Sequence, residues 1–343
     1  MTTMRAARIA AWGGPLELVD VPRPAPGEGE VRVRVEACGI GLTVLNCMQG
    51  QLGDDPAFLP RIPGHELVGV VDAVGEGVDP GRVGERVVAY FYLVCGACRR
   101  CLAGEDSLCE RFRGNVGVAI DGGYAEYAVL PSLNALAVPD GVDPVLATTI
   151  PDAIATPVHV ARRAAVQPGE RVAVIAAGGG VGIHMAQVAR VFGADVAGLD
   201  AVPAKLEYLE RELGIAAVDS SDFGAVGLPD EWRGKADVIV DLLGRPESLG
   251  WALDSLDRDG RLVCLTTFRD VEFAVSPRQL VQLQLAVLGS RYNSRYEVGL
   301  AGAFVRAGRV RPVVSRCVSL DEVDSVHEEL RRGTLLGRGA LVW

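Results

Sequence analysis

Arg171-Val172-Ala173-Val174-Ile175-Ala176-Ala177-Gly178-Gly179-Gly180-Val181-Gly182 decides the fold. A short apolar run rich in β-branched residues reads as a buried strand. A Gly-rich turn follows, and then a helix in which Val181, Met185, Val188, Ala189 and Phe192 share one face. Gly193 stands where a helix commonly ends on glycine. The free N–H groups at such a helix start can receive a pyrophosphate. A Gly-rich turn alone is weak evidence. Here it follows a strand, opens a helix, and is succeeded by Asp200 at the end of the next strand-like run. That full context is a dinucleotide fingerprint. Gly178, Gly179, Gly180, Val181 and Gly182 are therefore candidate cofactor-binding residues. Ala177 holds the first glycine position, which costs little if its φ is negative.

Asp200 bears on the choice of cofactor. A carboxylate there accepts hydrogen bonds from ribose hydroxyls and repels a 2′-phosphate. Its neighbours Leu199, Ala201 and Val202 include no arginine, so the expectation is NAD rather than NADP. Lys205 is a further candidate for the ribose, with a solvated helix lysine as the plain alternative.

Outward from this turn, strand-like and helical segments alternate. Val172–Ala176, Asp195–Leu199, Val238–Asp241 and Arg261–Leu265 are strands, and helices run to Phe192 and from Lys205 to Leu213. This alternation predicts a parallel sheet covered by helices on both faces, an α/β doubly wound cofactor domain over residues 151–299. Residues 1–150 have another texture. Val31-Arg32-Val33-Arg34-Val35 alternates with period two, and short strands near 68–74 and 83–90 are separated by glycines. The tail, 300–343, returns to short mixed elements and is expected to fold back onto the first part.

Composition narrows the function. The chain has 343 residues, 49% of them hydrophobic, enough for two domains. A net charge of −10 argues against nucleic-acid or anionic-membrane surfaces. No apolar run reaches the roughly 20 residues needed to span a bilayer. The start, Met1-Thr2-Thr3-Met4-Arg5, reads straight into a strand without a leader, and with eight cysteines this points to a reducing cytoplasm.

Half of those cysteines form one cluster: Cys95-x2-Cys98-x2-Cys101-x7-Cys109. Four thiolates so spaced can close a tetrahedral shell around Zn²⁺ and leave no open position, which makes a structural site. Paired disulfides fit the compartment poorly. An iron–sulfur cluster would often carry proline after the last cysteine, where Glu110 stands.

Together with Gly64-His65-Glu66 before Val68-Gly69-Val70-Val71, with Gly122-Gly123-Tyr124-Ala125-Glu126-Tyr127, and with the ending Gly337-Arg338-Gly339-Ala340-Leu341-Val342, these pieces resemble the zinc-containing medium-chain dehydrogenase/reductase family, the alcohol dehydrogenase group. The resemblance covers nearly the whole chain. It implies a GroES-like, mainly β substrate domain carrying the zinc lobe (residues 95–109), a Rossmann cofactor domain, a cleft between them, a small-molecule substrate, and a homodimer or homotetramer.

The resemblance also implies a catalytic site, in which the match is incomplete. His65, Glu66 and Asp152 correspond to ligand positions of a catalytic zinc, and Thr43 to a proton-relaying hydroxyl. The first ligand cysteine is replaced by Gly41, the residue after the hydroxyl is Val44, and Asn46 stands where the relay often has histidine. A catalytic zinc needs three protein ligands and an open position. Without the thiolate, His65, Glu66 and Asp152 form a harder N/O candidate set, to which Cys38 or Cys47 would add sulfur only if their loop rearranged. The plain alternatives are a core histidine, a helix-capping aspartate, a turn threonine and two small buried hydrophobes. His327 is expected to be solvated, and Arg291 and Arg295 are candidates for cofactor phosphate or an acidic substrate, with solvent as the plain alternative.

Two chemistries follow. One is NAD-dependent hydride exchange between nicotinamide and an alcohol or carbonyl, with an ion polarising the oxygen. The other is a catalytic-zinc-independent reductase of activated C=C bonds in an enone or enoyl thioester, its enolate stabilised by Thr43 or a tyrosine. A non-catalytic NAD-binding module is the third class, disfavoured by the intact turn.

Overall fold

The computed structural model describes residues 2–266 and 271–343. The strands are β1 (Thr3–Arg8), β2 (Glu17–Pro22), β3 (Glu30–Ile40), β4 (Leu67–Val74), β5 (Arg86–Ala89), β6 (Tyr127–Pro131) and β7 (Ala135–Ala137). They continue as β8 (Arg171–Ile175), β9 (Asp195–Asp200), β10 (Ala216–Asp219), β11 (Ala236–Asp241), β12 (Leu256–Cys264), β13 (Ala286–Gly289), β14 (Val314–Val318) and β15 (Arg338–Val342). The described chain divides into two compact units. One comprises Met1–Ala155, Asn293–Gly308 and Pro312–Trp343, the other Thr156–Tyr292 and Arg309–Arg311.

The first unit is built on β3. Its alternation buries Val31, Val33 and Val35 and turns Arg34 outward, as a pleated strand requires. The strand is longer than its Val/Arg pattern suggests. It runs on through Cys38-Gly39-Ile40 because β15 and β4 pair with that stretch on either side. The sheet order is β14-β15-β3-β4-β5-β7, with β6 also on β3. β15 comes from the far end of the chain, pairs with β3 and places Arg338 beside residue 41.

In the second unit β8 to β13 form one parallel sheet in the order β10-β9-β8-β11-β12-β13. Numbered from β8, this is 3-2-1-4-5-6, the doubly wound arrangement of a dinucleotide-binding domain. Ile175, Leu199, Ile239 and Leu262 from four of its strands pack with Trp232, Leu249 and Leu253. The short edge strands β10 and β13 carry little periodic signal, and pairing with longer neighbours is what makes them strands. Among the described residues no helix is long and apolar enough to cross a membrane.

His327 departs from expectation. It is fully buried, its Nε2 lies 3.0 Å from the Tyr124 hydroxyl, and the two rings stack at 5.9 Å. The helix Val323–Arg331 is amphipathic, and Val323, Val326 and His327 lie on its buried face. Its acidic neighbours Asp321, Glu322 and Asp324 are exposed, although Asp324 Oδ1 lies 3.6 Å from His327 Nδ1. Burial lowers the imidazole from 6.5 to about 4, with Asp324 opposing and Arg331 assisting. The unfolded chain therefore binds a proton between pH 6.5 and about 4 that the folded chain refuses, and stability falls as pH drops through that window. Thermal melts from pH 7 to 4 should show His327→Asn with a shallower acid slope than the wild type, by up to one proton. Parallel slopes would refute the assignment.

Candidate functional site

The dinucleotide turn of the second unit has the close approaches that its glycines suggest. A Cβ on Gly182 would lie 2.2 Å from the Ala176 carbonyl oxygen, and one on Gly178 would lie 2.4 Å from Lys205 Cβ. Small residues are therefore obligatory where helix Gly182–Val191 and helix Pro203–Leu213 meet the turn. The left-handed residue is Ala176, at φ 61°, and not Ala177 beside it. Backbone strain of this kind gathers at ligand-binding turns.

Asp200 closes β9 and is buried. Its Oδ2 accepts the Gly178 N–H at 2.9 Å, and its Oδ1 accepts those of Ala201 and Val202 at 2.9 and 3.1 Å. A carboxylate offers about four acceptor positions, so capacity for a further donor remains. Lys205 is buried, contrary to the solvated alternative. Burial lowers its ammonium pKa, while Asp200 works in the other direction. Val181 precedes the helix, and His184, inside it, sets Nδ1 2.6 Å from the Gly180 carbonyl oxygen, a structural contact.

In the first unit the four cysteines converge. The Sγ atoms of Cys95 and Cys101 are 3.9 Å apart, those of Cys98 and Cys101 3.5 Å, those of Cys98 and Cys109 4.0 Å, and those of Cys109 and Cys95 3.6 Å. Zn–S bonds of about 2.3 Å in a tetrahedron space their sulfurs about 3.8 Å apart, so the set fits zinc. Backbone N–H groups, chiefly that of Ala97, lower the Cys95 thiol to about 6, which favours a thiolate there. The lobe is anchored by buried Asp106. It accepts from Arg295 Nη2 and Nε, both at 3.1 Å, and from the Arg295 backbone N–H at 3.0 Å. Arg295 therefore holds a structural ion pair and is not a solvent-facing residue.

The second constellation gathers His65, Glu66 and Asp152, whose ligand atoms lie within 4.8 Å of one another. His65 and Glu66 immediately precede β4, and Asp152 sits in a π-helical turn, Ile150–Ile154. The N-cap of this turn is Thr149 and not Asp152, whose Oδ2 lies 3.2 Å from His65 Nε2. The turn is anchored by Asn293, whose Nδ2 donates to the Pro151 carbonyl at 2.9 Å while its own carbonyl accepts from the Tyr90 hydroxyl at 2.7 Å. Phe91 covers the imidazole at 4.4 Å between ring centroids. Thr43 lies half-buried on the helix Leu42–Met48, not in a turn.

Arg338, to which no motif assigns a role, joins this constellation. Its guanidinium is 4% exposed, 3.0 Å from Glu66 Oε1 and 3.6 Å from Asp152 Oδ2. Strand register explains the placement. Gly339 pairs Ile40 across β15 and β3, so the next step sets Arg338 opposite Gly41. Cys38 pairs Leu67 across β3 and β4, and the same step sets Glu66 opposite Gly39. Gly41 is still extended, at φ −137° and ψ 175°. Gly39 and Gly41 therefore share one face of the sheet, and each leaves a gap. A Cβ on Gly39 would meet Glu66 Oε2 at 2.4 Å, and one on Gly41 would meet Arg338 Nη1 at 2.2 Å. The available sequence signal was an arginine heading an otherwise apolar strand between glycines.

As chemistry, an imidazole and two carboxylates suit a divalent cation. As space and charge they do not fit one here, because the guanidinium fills the volume over Gly41 and already offsets one carboxylate. Burial pushes the Glu66 carboxyl up, and Arg338 opposes that shift. The cysteines bring no thiolate. Cys38 points to the opposite face from Gly39 and Gly41, against Gly64 and Gly123, and burial drives its thiol well up. Burial raises Cys47 to about 12. Both are small buried hydrophobes.

Known proteins agree with this architecture. Residues 27–140 match the family described as Alcohol dehydrogenase GroES-like domain, and residues 180–306 that described as Zinc-binding dehydrogenase. An alcohol dehydrogenase of Geobacillus stearothermophilus is 33% identical over 337 residues, 98% of each chain. An NAD-dependent alcohol dehydrogenase of Sulfurisphaera tokodaii is 29% identical over 349 residues, 99% of this chain and 100% of the other. The cobalt- and zinc-bound thermostable alcohol dehydrogenase of Pyrobaculum aerophilum superposes with a TM-score of 0.88 at 33% identity, covering 100% of both chains. With its GroES-like and Rossmann units and a full-length match at this identity, the chain belongs to the zinc-containing alcohol dehydrogenase family of medium-chain dehydrogenases/reductases.

Proposed function

We propose that the protein uses NAD, in preference to NADP, to move hydride between the nicotinamide ring and the oxygen-bearing carbon of a small alcohol or its carbonyl counterpart. The observation that carries this reading is the buried His65–Asp152 pair, a polar group that a sheet core has no packing reason to enclose. In the oxidative direction the carbinol C–H bond breaks with its electron pair going to NAD⁺. The O–H proton passes to a base, and the carbon–oxygen double bond forms. Asp152 holds the imidazole through Nε2 and leaves Nδ1 for that proton. Thr43 is the candidate hydroxyl between substrate and solvent. The Cys95, Cys98, Cys101 and Cys109 lobe holds one zinc and does structural work only. Asp200 takes the ribose hydroxyls beside Gly178, Gly179, Gly180, Val181 and Gly182, and Lys205 supports the carboxylate. A homodimer or homotetramer in a reducing cytoplasm completes the proposal, on the family resemblance and the free thiols.

Assays of alcohols, aldehydes, ketones and enones with both cofactors test the reading. Turnover confined to enones would replace it with reduction of activated C=C bonds. His65→Ala should lower kcat/KM for the alcohol by about 100-fold or more, the usual weight of a general acid–base residue, with NADH binding unchanged. Undiminished turnover in that variant would remove His65 from the chemistry. Asp200→Asn keeps one acceptor oxygen for the turn but drops the charge. Its NADH-to-NADPH preference should fall about tenfold or more, the worth of one charged hydrogen bond. An unaltered ratio would show that Asp200 does not select the cofactor.

A further inference from the structure

We propose that Arg338 is the resident cation of the His65–Glu66–Asp152 pocket, admitted by Gly41, and that it takes the place of a divalent metal there, so that the chain retains zinc at its cysteine lobe alone. Geometry carries the first half. Arg338 and Gly41 stand opposite each other in the extended register of β15 and β3. The Gly41 Cβ position lies 2.2 Å from Nη1, 2.6 Å from Cζ and 3.1 Å from Nε. Any side chain at 41 and the guanidinium in its present place exclude each other. A thiolate at 41 would thus add a soft ligand and oblige the guanidinium, the far end of a flexible side chain, to shift from its present place.

Charge carries the second half. The pocket encloses two carboxylates, and the guanidinium reaches both, at 3.0 Å for Glu66 and 3.6 Å for Asp152. A dication entering beside Arg338 would set three positive charges against the two carboxylates of the pocket. Buried surplus charge is heavily penalised. The ligand count points the same way. Glu66 Oε1 is engaged with Arg338 and Asp152 Oδ2 with His65 Nε2, so an ion taking those atoms would displace both contacts, and it would still lack the sulfur that makes such sites tight for zinc. Arg338 thereby acts as a positioning residue. It fixes the Glu66 carboxylate and, through Asp152, the orientation of His65.

Metal content of the full-length protein tests this independently of turnover. Protein from zinc-supplemented cells, dialysed without chelator, should carry one zinc per chain by elemental analysis. Cys98→Ser/Cys101→Ser should reduce it to none. Gly41→Cys should raise it to two, and cobalt substitution of that variant should add a thiolate-to-cobalt absorption absent from the wild type. Arg338→Met, which frees both carboxylates, should also take up a second ion. Retention of the lobe zinc reports that each variant is folded. Wild type with two zinc ions, the second lost in His65→Ala, would overturn the proposal. So would Gly41→Cys and Arg338→Met both holding at one. If no alcohol or carbonyl is turned over, the oxidoreductase reading fails while the metal count still stands.

Discussion

The pairing of Arg338 with Glu66 over two glycines is the contact on which the first unit's polar pocket depends. A buried guanidinium and a buried carboxylate are each expensive to take out of water, and each is tolerable only because the other is 3.0 Å away. Removing one partner of such a pair typically costs about 3–5 kcal/mol, mostly from the charge left behind. β3 makes the pair possible by presenting no side chain at 39 or 41, and its neighbours β4 and β15 bring the charges from opposite ends of the sequence. The same contact fixes where Glu66 cannot go, and so leaves Asp152 to His65.

The two metal-relevant clusters are unlike in kind. The cysteine lobe is local: residues 95–109 bend so that four sulfurs meet at spacings close to the edge of a zinc tetrahedron. Asp106 pairs with Arg295 and fastens the lobe to the helix Arg295–Arg306. The His65 cluster is assembled from two distant stretches of chain, with Arg338 brought to it from a third. Its ligand atoms are close enough for an ion, yet a side chain supplies the positive charge. Among members of a family defined partly by zinc, such a site separates the fold's requirement for a cation from its requirement for a metal.

The cofactor turn shows how backbone and side chain share one task. Asp200 accepts three backbone N–H groups, that of Gly178 in the loop after β8 and those of Ala201 and Val202 in the loop after β9, and so ties the two loops together before any ligand arrives. Gly178 and Gly182 are needed because Lys205 and the Ala176 carbonyl come too close for a Cβ. The left-handed Ala176 is a local cost that the surrounding hydrogen bonds hold in place.

The doubly wound sheet, the β-rich first unit and the cysteine lobe were legible along the chain. Each rests on short-range physics: periodicity sets strand and helix, glycine sets the turn, and close thiol spacing sets the lobe. The gathering of His65, Glu66 and Asp152 came only from resemblance, since nothing local links residues 65 and 152. Three features needed the tertiary structure. Helix amphipathicity buried His327 although its sequence neighbours are acidic. Long-range pairing made strands of Cys38-Gly39-Ile40 and Ala286–Gly289. Strand register placed Arg338 on Gly41 across nearly 300 residues of chain. Resemblance along the sequence offered Gly41 at the position where the family's first ligand cysteine is expected. What fills the space it left is a question of cross-strand neighbours, and those exist only after β15 has returned to β3.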